Sequence, residues 1–214
     1  SIDGSLKLYE YIKIKDILYI PLYQRQYAWK EEQIESFLEL IFLGNQVALM
    51  HQNGEPNNTI KEEEFYIGPA IFAIEDNKNY IVDGQQRIST FLFYHLCLIM
   101  VIKKYIEKDQ EKFGFLKVAA KGNFQDIFFV DTNCTKYRFN YENRIINGEF
   151  TDPNKFFTKF KKWENIPTEE DDIKLGVHTV GWTKKLKTIY RYVEENFLKL
   201  FEKFIVNNNR ELDN

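Results

Sequence analysis

The sequence has little of what most functional signatures require. It holds 2 cysteines, Cys97 inside an apolar run and Cys134 in a polar stretch, which fit neither a disulfide framework nor a zinc spacing. That usage suits a reducing cytoplasm. The 3 histidines, His51, His95 and His178, fall on a polar loop, an apolar run and a second polar segment with no companion ligand at metal spacing, which argues against zinc. Glycine (10) and proline (5) are scarce, which excludes collagen-like and low-complexity chains. Positive charge is not in excess: the net charge of −3 gives no basic field for holding nucleic acid, so any DNA contact must be indirect or through a local patch. There is no Gly-rich Walker loop, no serine nucleophile elbow and no His-Asn-His nuclease motif. No basic-then-apolar leader opens the chain, and the start at Ser1 suggests a natural protein longer than these 214 residues. The longest uncharged apolar run, Phe91 to Ile102, is 12 residues, short of the roughly 20 that cross a bilayer. It reads as a buried helix, with no membrane partner.

What the chain has is core-forming material: 44% hydrophobic residues, with 19 Phe and 13 Tyr, enough for one large domain or two small ones. The first segment, up to Pro21, alternates loosely and reads as short strand or helix pieces entering a turn. After Trp29, Ile34, Phe37, Leu38, Ile41 and Phe42 share a helical face, with glutamates early and Gly44 where the helix should end. The polar stretch from Asn45 to Glu64 reads as a surface loop. A strand "EFYIGPAIFAIE" interrupted by Gly68 and Pro69, the turn "DNKN" and a second strand "YIVD" then predict a β-hairpin, followed by a central helix from about Gln86 to Lys108.

The second half is less legible. "KYRFNYENRI" suggests a strand, "NKFFTKFKKW" a short helix aligning Phe156, Phe160 and Trp163, and Glu169 to Asp172 a solvated loop. Trp182, Leu186, Ile189, Val193, Phe197, Leu200 and Phe204 recur at three- and four-residue steps and predict a long helix running into a linker-like "NNNRELDN". Its basic residues Lys184, Lys185, Lys187 and Arg191 read as a solvated face in preference to a DNA patch.

The chemistry concentrates at "YIVDGQQRIST", Tyr80 to Thr90, where an acid, a glycine, two amides and an arginine separate a strand from a helix. A helix start offers backbone N–H groups at its positive end, Gly84 permits close approach, and Arg87 supplies a fork suited to phosphate. The competing reading makes Asp83 and Gly84 a turn, Asp83 a helix cap, and the amides and arginine solvent-facing groups. A second cluster, "IPLYQRQYAW" from Ile20 to Trp29, brings Gln24 and Arg25 together with Tyr23 and Tyr27, which either stack on a base or anchor the core.

The two motifs, about fifty residues apart with "YIGPAIF" between them, resemble the N-terminal domain of GmrSD-type restriction endonucleases, a family related to the ParB and sulfiredoxin fold. The resemblance covers roughly Leu18 to Met100, with Ile88 and Ser89 where Leu and Thr are common. It implies an α+β fold: a ParB/sulfiredoxin-like core with a small mixed sheet over residues 1–110, and a helical extension over residues 111–214 leading to a missing C-terminal domain. It implies a prokaryotic antiphage system in which this domain binds a nucleoside triphosphate, with Mg²⁺, and supports its hydrolysis to license a separate or C-terminal HNH-type nuclease. Carried over, Asp83, Gly84, Gln85, Gln86 and Arg87 form the loop, with Gln24 and Arg25 facing it and Gly68 giving the ligand room. In that scheme Arg25 and Arg87 hold phosphate, Asp83 meets a metal-bound water or orients Arg25, and Gln85 or Gln86 orients the attacking water. The alternatives are a ParB-like DNA-binding module without turnover and a protein-interaction scaffold.

Overall fold

A computed structural model describes residues 16–20, 29–52, 71–141, 145–146, 149–150, 154–174 and 180–212. The short β-branched and aromatic runs form strands, and each long apolar-periodic run forms a helix. In chain order the main elements are β1 (Leu18–Ile20), α1 (Glu31–Gln52), β2 (Ile71–Glu75), β3 (Lys78–Asp83), α2 (Gln85–Lys108), α3 (Gln110–Phe113), α4 (Leu116–Phe128) and β4 (Phe139–Tyr141). Next come β5 (Ile145–Ile146), β6 (Glu149–Phe150), α5 (Asn154–Phe157), three 3-10 turns between Thr158 and Asp172, and α6 (Val180–Leu212). This is the mixed α+β architecture the sequence predicts, a small mixed sheet with a mainly helical second half.

The main sheet has the order β2-β3-β1-β4. β2 and β3 form the antiparallel hairpin, closed by Asp76 and Asn77 at φ 48° and 61°, the left-handed pair that a two-residue type I′ turn needs. The turn is thus two residues, and Lys78 and Asn79 belong to β3. β1 pairs in parallel with β3 (Leu18 with Asn79, Tyr19 with Tyr80) and with β4 (Leu18 with Phe139, Ile20 with Tyr141). Leu18, Ile81 and Phe139, from three neighbouring strands, are each at most 1% exposed and join one continuous apolar cluster with the helices.

α2 is the hub of that cluster, packing against α1, α4 and α6. By length and composition it passes as a membrane span, being 24 residues instead of the 12 of its uncharged run, yet 72% of its most apolar window is buried inside the protein. It is a core helix. At its far end Lys104 Nζ reaches Glu169 Oε2 (3.1 Å) and Glu194 Oε2 (3.0 Å), while Tyr190 Oη lies 2.9 Å from the same Glu194 oxygen, which ties α2 to α6. Buried Arg138 donates to the carbonyls of Ile127, Asp126 and Phe129, supplying the donors that the C-terminus of α4 lacks.

Two helices overrun their expected ends. α1 continues through Gly44 to Gln52, because a glycine costs only about 1 kcal/mol in a helix and "NQVALMHQ" continues with good helix formers. His51 therefore sits on a helix and not on a loop, and of the expected loop from Asn45 to Glu64 the residues after Gln52 lie outside the described set. α6 likewise runs through the asparagines to Leu212, so "NNNREL" is helix and not linker. α4 was unassigned from sequence; Leu116, Ala120, Phe124, Ile127 and Phe128 form its buried stripe, blurred in the sequence by Gly114 and Gly122. Phe156, Phe160 and Trp163 are all buried as expected, although the backbone beneath them passes from one α-turn into 3-10 turns. Glu169 to Asp172, expected as a loop, contains a 3-10 turn.

His95 lies in the core of α2 with ring edges against Phe91 and Tyr94, its Nε2 sealed from solvent and without a hydrogen-bond partner among the described residues. It is a core residue, as its place in an apolar run predicts. Burial pushes its pKa down to about 4. The unfolded chain therefore takes up the proton first, and stability contributed by neutral His95 is lost as pH falls from about 6.5 through about 4. His95→Leu is expected to flatten that part of the stability profile in urea titrations at a series of pH values; an unchanged acid limb would contradict the assignment.

Candidate functional site at the carboxyl edge of the sheet

Parallel pairing sends β1, β3 and β4 in one direction, so their carboxyl ends emerge at one edge of the sheet. β1 ends at Ile20, where the first motif begins, and β3 ends at Asp83, inside the second. β2 runs the other way and enters at that same edge, with Ile71 opposite Asp83. In open sheets with parallel strands this edge is where ligands bind, because loops leaving several strands converge there and following helices point their N-termini at it.

The junction itself is built from backbone. Between Phe72–Ile81 and Ile71–Asp83 the register slips, leaving Val82 as the extra residue of a bulge that turns the strand end. Gly84 follows at φ 93°, ψ 9°, in the left-handed region, and stands at the N-cap position of α2. Having no side chain, it cannot cap the helix, and the first turn carries no acidic residue. Asp83 does not cap it either: its Oδ1 accepts from the Gly84 N–H at 2.8 Å, one residue before the helix, and the carboxylate is exposed. Ile88 N–H donates to Gly84 O at 3.0 Å, which starts the helical ladder. The N–H groups of the first turn precede that ladder and stand at the positive end of a 24-residue helix dipole.

The two glutamines behave differently. Gln85 is 9% exposed, and its Nε2 donates to Ile81 O at 3.0 Å, with Val82 O at 3.4 Å. Gln86 is half-buried, and its Oε1 accepts from the Trp29 backbone N–H at 3.3 Å. Trp29 ends the first motif and packs edge-on against Phe37, so the two motifs meet at Gln86. Thr90 Oγ1 donates to Gln86 O at 2.7 Å within the helix. Arg87 is half-buried in the first turn, on the same edge. Tyr23, Gln24, Arg25, Tyr27 and Gly68 lie outside the described residues.

The family model for the GmrSD restriction endonuclease, N-terminal domain, matches residues 6–213. The chain belongs to this family. The match extends through the helical half, well past the Leu18 to Met100 stretch that carries the two motifs. No curated protein and no solved structure matches it. As a GmrSD N-terminal domain, the protein is a component of a restriction system, in a family whose members work with a nuclease part.

Elsewhere the chemistry is structural. Among the described residues no group of three His, Cys, Asp or Glu side chains gathers to hold a metal. Cys97 Sγ faces Leu186 O at 3.7 Å, and burial pushes its pKa up, which keeps the thiol inert. On α6, Arg191 pairs with Glu170 (2.5 Å) and Lys185 is partly buried, so the four basic residues are not a uniformly solvated face. What the sequence missed was the split between Gln85 and Gln86; its only trace was that Gln85 immediately follows the glycine where the chain turns back on the strand.

Gly84→Ala places a β-carbon in the left-handed region and is expected to lower stability by about 1–2 kcal/mol, with Gly84→Asn costing less. Equal, near-zero changes in both variants by chemical denaturation would show that the junction does not hold this geometry.

Proposed function

We propose that the carboxyl edge binds a nucleoside triphosphate, with its phosphates at the start of α2, and that the domain hydrolyses it to license the nuclease part of the restriction system against phage or modified DNA. In this reading the sheet is a ParB/sulfiredoxin-like core, and the protein works in the cytoplasm. The observation that carries it is the meeting of the two motifs, through Trp29 N–H and Gln86 Oε1, beside a helix start that has no side-chain cap.

Phosphoryl transfer needs positioning and positive charge more than covalent chemistry. Arg87 contributes a permanent charge and planar donors, and the helix start contributes N–H groups and dipole. Arg25 and Gln24, which follow β1 in the sequence, are the proposed second arm, with Tyr23 and Tyr27 for the base and Gly68 leaving the ligand room. Mg²⁺ in such sites is held mostly by phosphates and water and needs only one or two carboxylates, which fits the isolated Asp83: one oxygen steadies Gly84 and the exposed carboxylate retains lone pairs for a metal-bound water. The ion would neutralise charge on the phosphates. Gln86 is the glutamine assigned to the attacking water.

The test is a melting-temperature panel with ATP, GTP, CTP and UTP, each with Mg²⁺. One triphosphate at a hundred times its dissociation constant should add about 2.7 kcal/mol of stability. Arg87→Ala is expected to abolish that shift, and unchanged affinity removes Arg87 from the phosphate site. No shift with any nucleotide favours an interaction scaffold, and salt-dependent DNA binding without hydrolysis favours a DNA-binding module.

A further inference from the structure

We propose that Gln85 is a positioning residue that sets the phosphate cradle from behind, without touching the ligand. This rests on the nucleotide reading above and assigns the first glutamine of the motif a role distinct from the second. The last described β1–β3 pair is Tyr19 with Tyr80, and on the β2 side the register shifts between the Phe72–Ile81 and Ile71–Asp83 pairs. Ile81 is fully buried, so a donor that reaches its carbonyl acts where water does not compete.

The Gln85 amide supplies such a donor from the first residue of the helix. Its Nε2 reaches back to Ile81 O and Val82 O, closing a loop of side chain over the residues in which the backbone reverses. With two N–H groups spent on two carbonyls, the amide nitrogen has no donor left for a ligand or a reacting water. Its 9% exposure says the same of access. What the clamp fixes is the direction in which β3 delivers Asp83 and Gly84, and through Gly84 the direction of the first-turn N–H groups. An error of about 1 Å at such a site is enough to cost on the order of a hundredfold in a preorganised interaction.

Gln85→Met keeps length and apolar bulk while removing both donors. In the 214-residue protein, Mg²⁺ complexes of the four common nucleoside triphosphates are the probe, with affinity read by titration and turnover by phosphate release. The proposal expects an affinity loss of at least tenfold that exceeds any fall in kcat. A smaller affinity loss, or a kcat loss exceeding it, overturns the proposal, the latter by putting Gln85 on the reacting water. Gln85→Glu adds a readout that a general loss of packing does not move. Its ionised form faces two carbonyls and is repelled, whereas its protonated form donates to one, so its affinity relative to wild type should improve as pH falls from 8 to 5. A pH-independent ratio overturns the clamp, and this arm decides if Gln85→Met does not fold. In ligand-free protein the Gly84 amide should exchange with solvent faster in Gln85→Met, and an unchanged rate also overturns it. Wild-type protein that binds no nucleotide refutes the reading under Proposed function, while the exchange arm still decides whether Gln85 holds the junction.

Discussion

Two register pairs, Leu18 with Asn79 and Tyr19 with Tyr80, determine where everything else in this protein has to be. Because they are parallel, β1 and β3 end at the same edge, and the described ends of two motifs about fifty residues apart in sequence meet there. An antiparallel pairing would put them at opposite ends of the sheet. The contact between Trp29 N–H and Gln86 Oε1 is the local consequence of that topology.

The second constraint is the burial of α2. A helix apolar on nearly all sides has to be enclosed, and α1, α4 and α6 enclose it, so its N-terminus is fixed against the sheet edge by the core as a whole. This gives the helical half a part in the site. The Lys104–Glu194–Tyr190 cluster and the Arg138 cap hold the far ends of that enclosure, and the Gly84 junction at the near end is correspondingly free to adopt a left-handed backbone without loosening the fold.

The sequence made legible whatever periodicity and turn chemistry govern. Ile34, Phe37, Leu38 and Ile41, the all-apolar α2, and the hairpin turn with Asp76 and Asn77 follow from local rules, and the structure bears them out. Helix ends did not follow, because Gly44 and the asparagines near residue 208 are weak stops that continuing helix formers override. α4 was obscured by Gly122 within it and Gly114 just before it, and β1 by its length of three residues, whose pairing is set by distant partners. In the site, the sequence supplied which residues to watch but not their orientation. That Gln85 turns back onto Ile81 and Val82 while Gln86 turns toward Trp29 depends on a bulge at Val82 that no local pattern announces.

The central claim is that the backbone around Gly84 receives phosphate oxygens. The most direct measurement is an NMR titration of the amide-labelled protein with inorganic triphosphate and Mg²⁺, observing the backbone N–H resonances. The account predicts that the largest downfield shifts fall on the amides from Gly84 to Arg87, as new hydrogen bonds form there. Saturable binding that shifts amides elsewhere and leaves those four unmoved would contradict it.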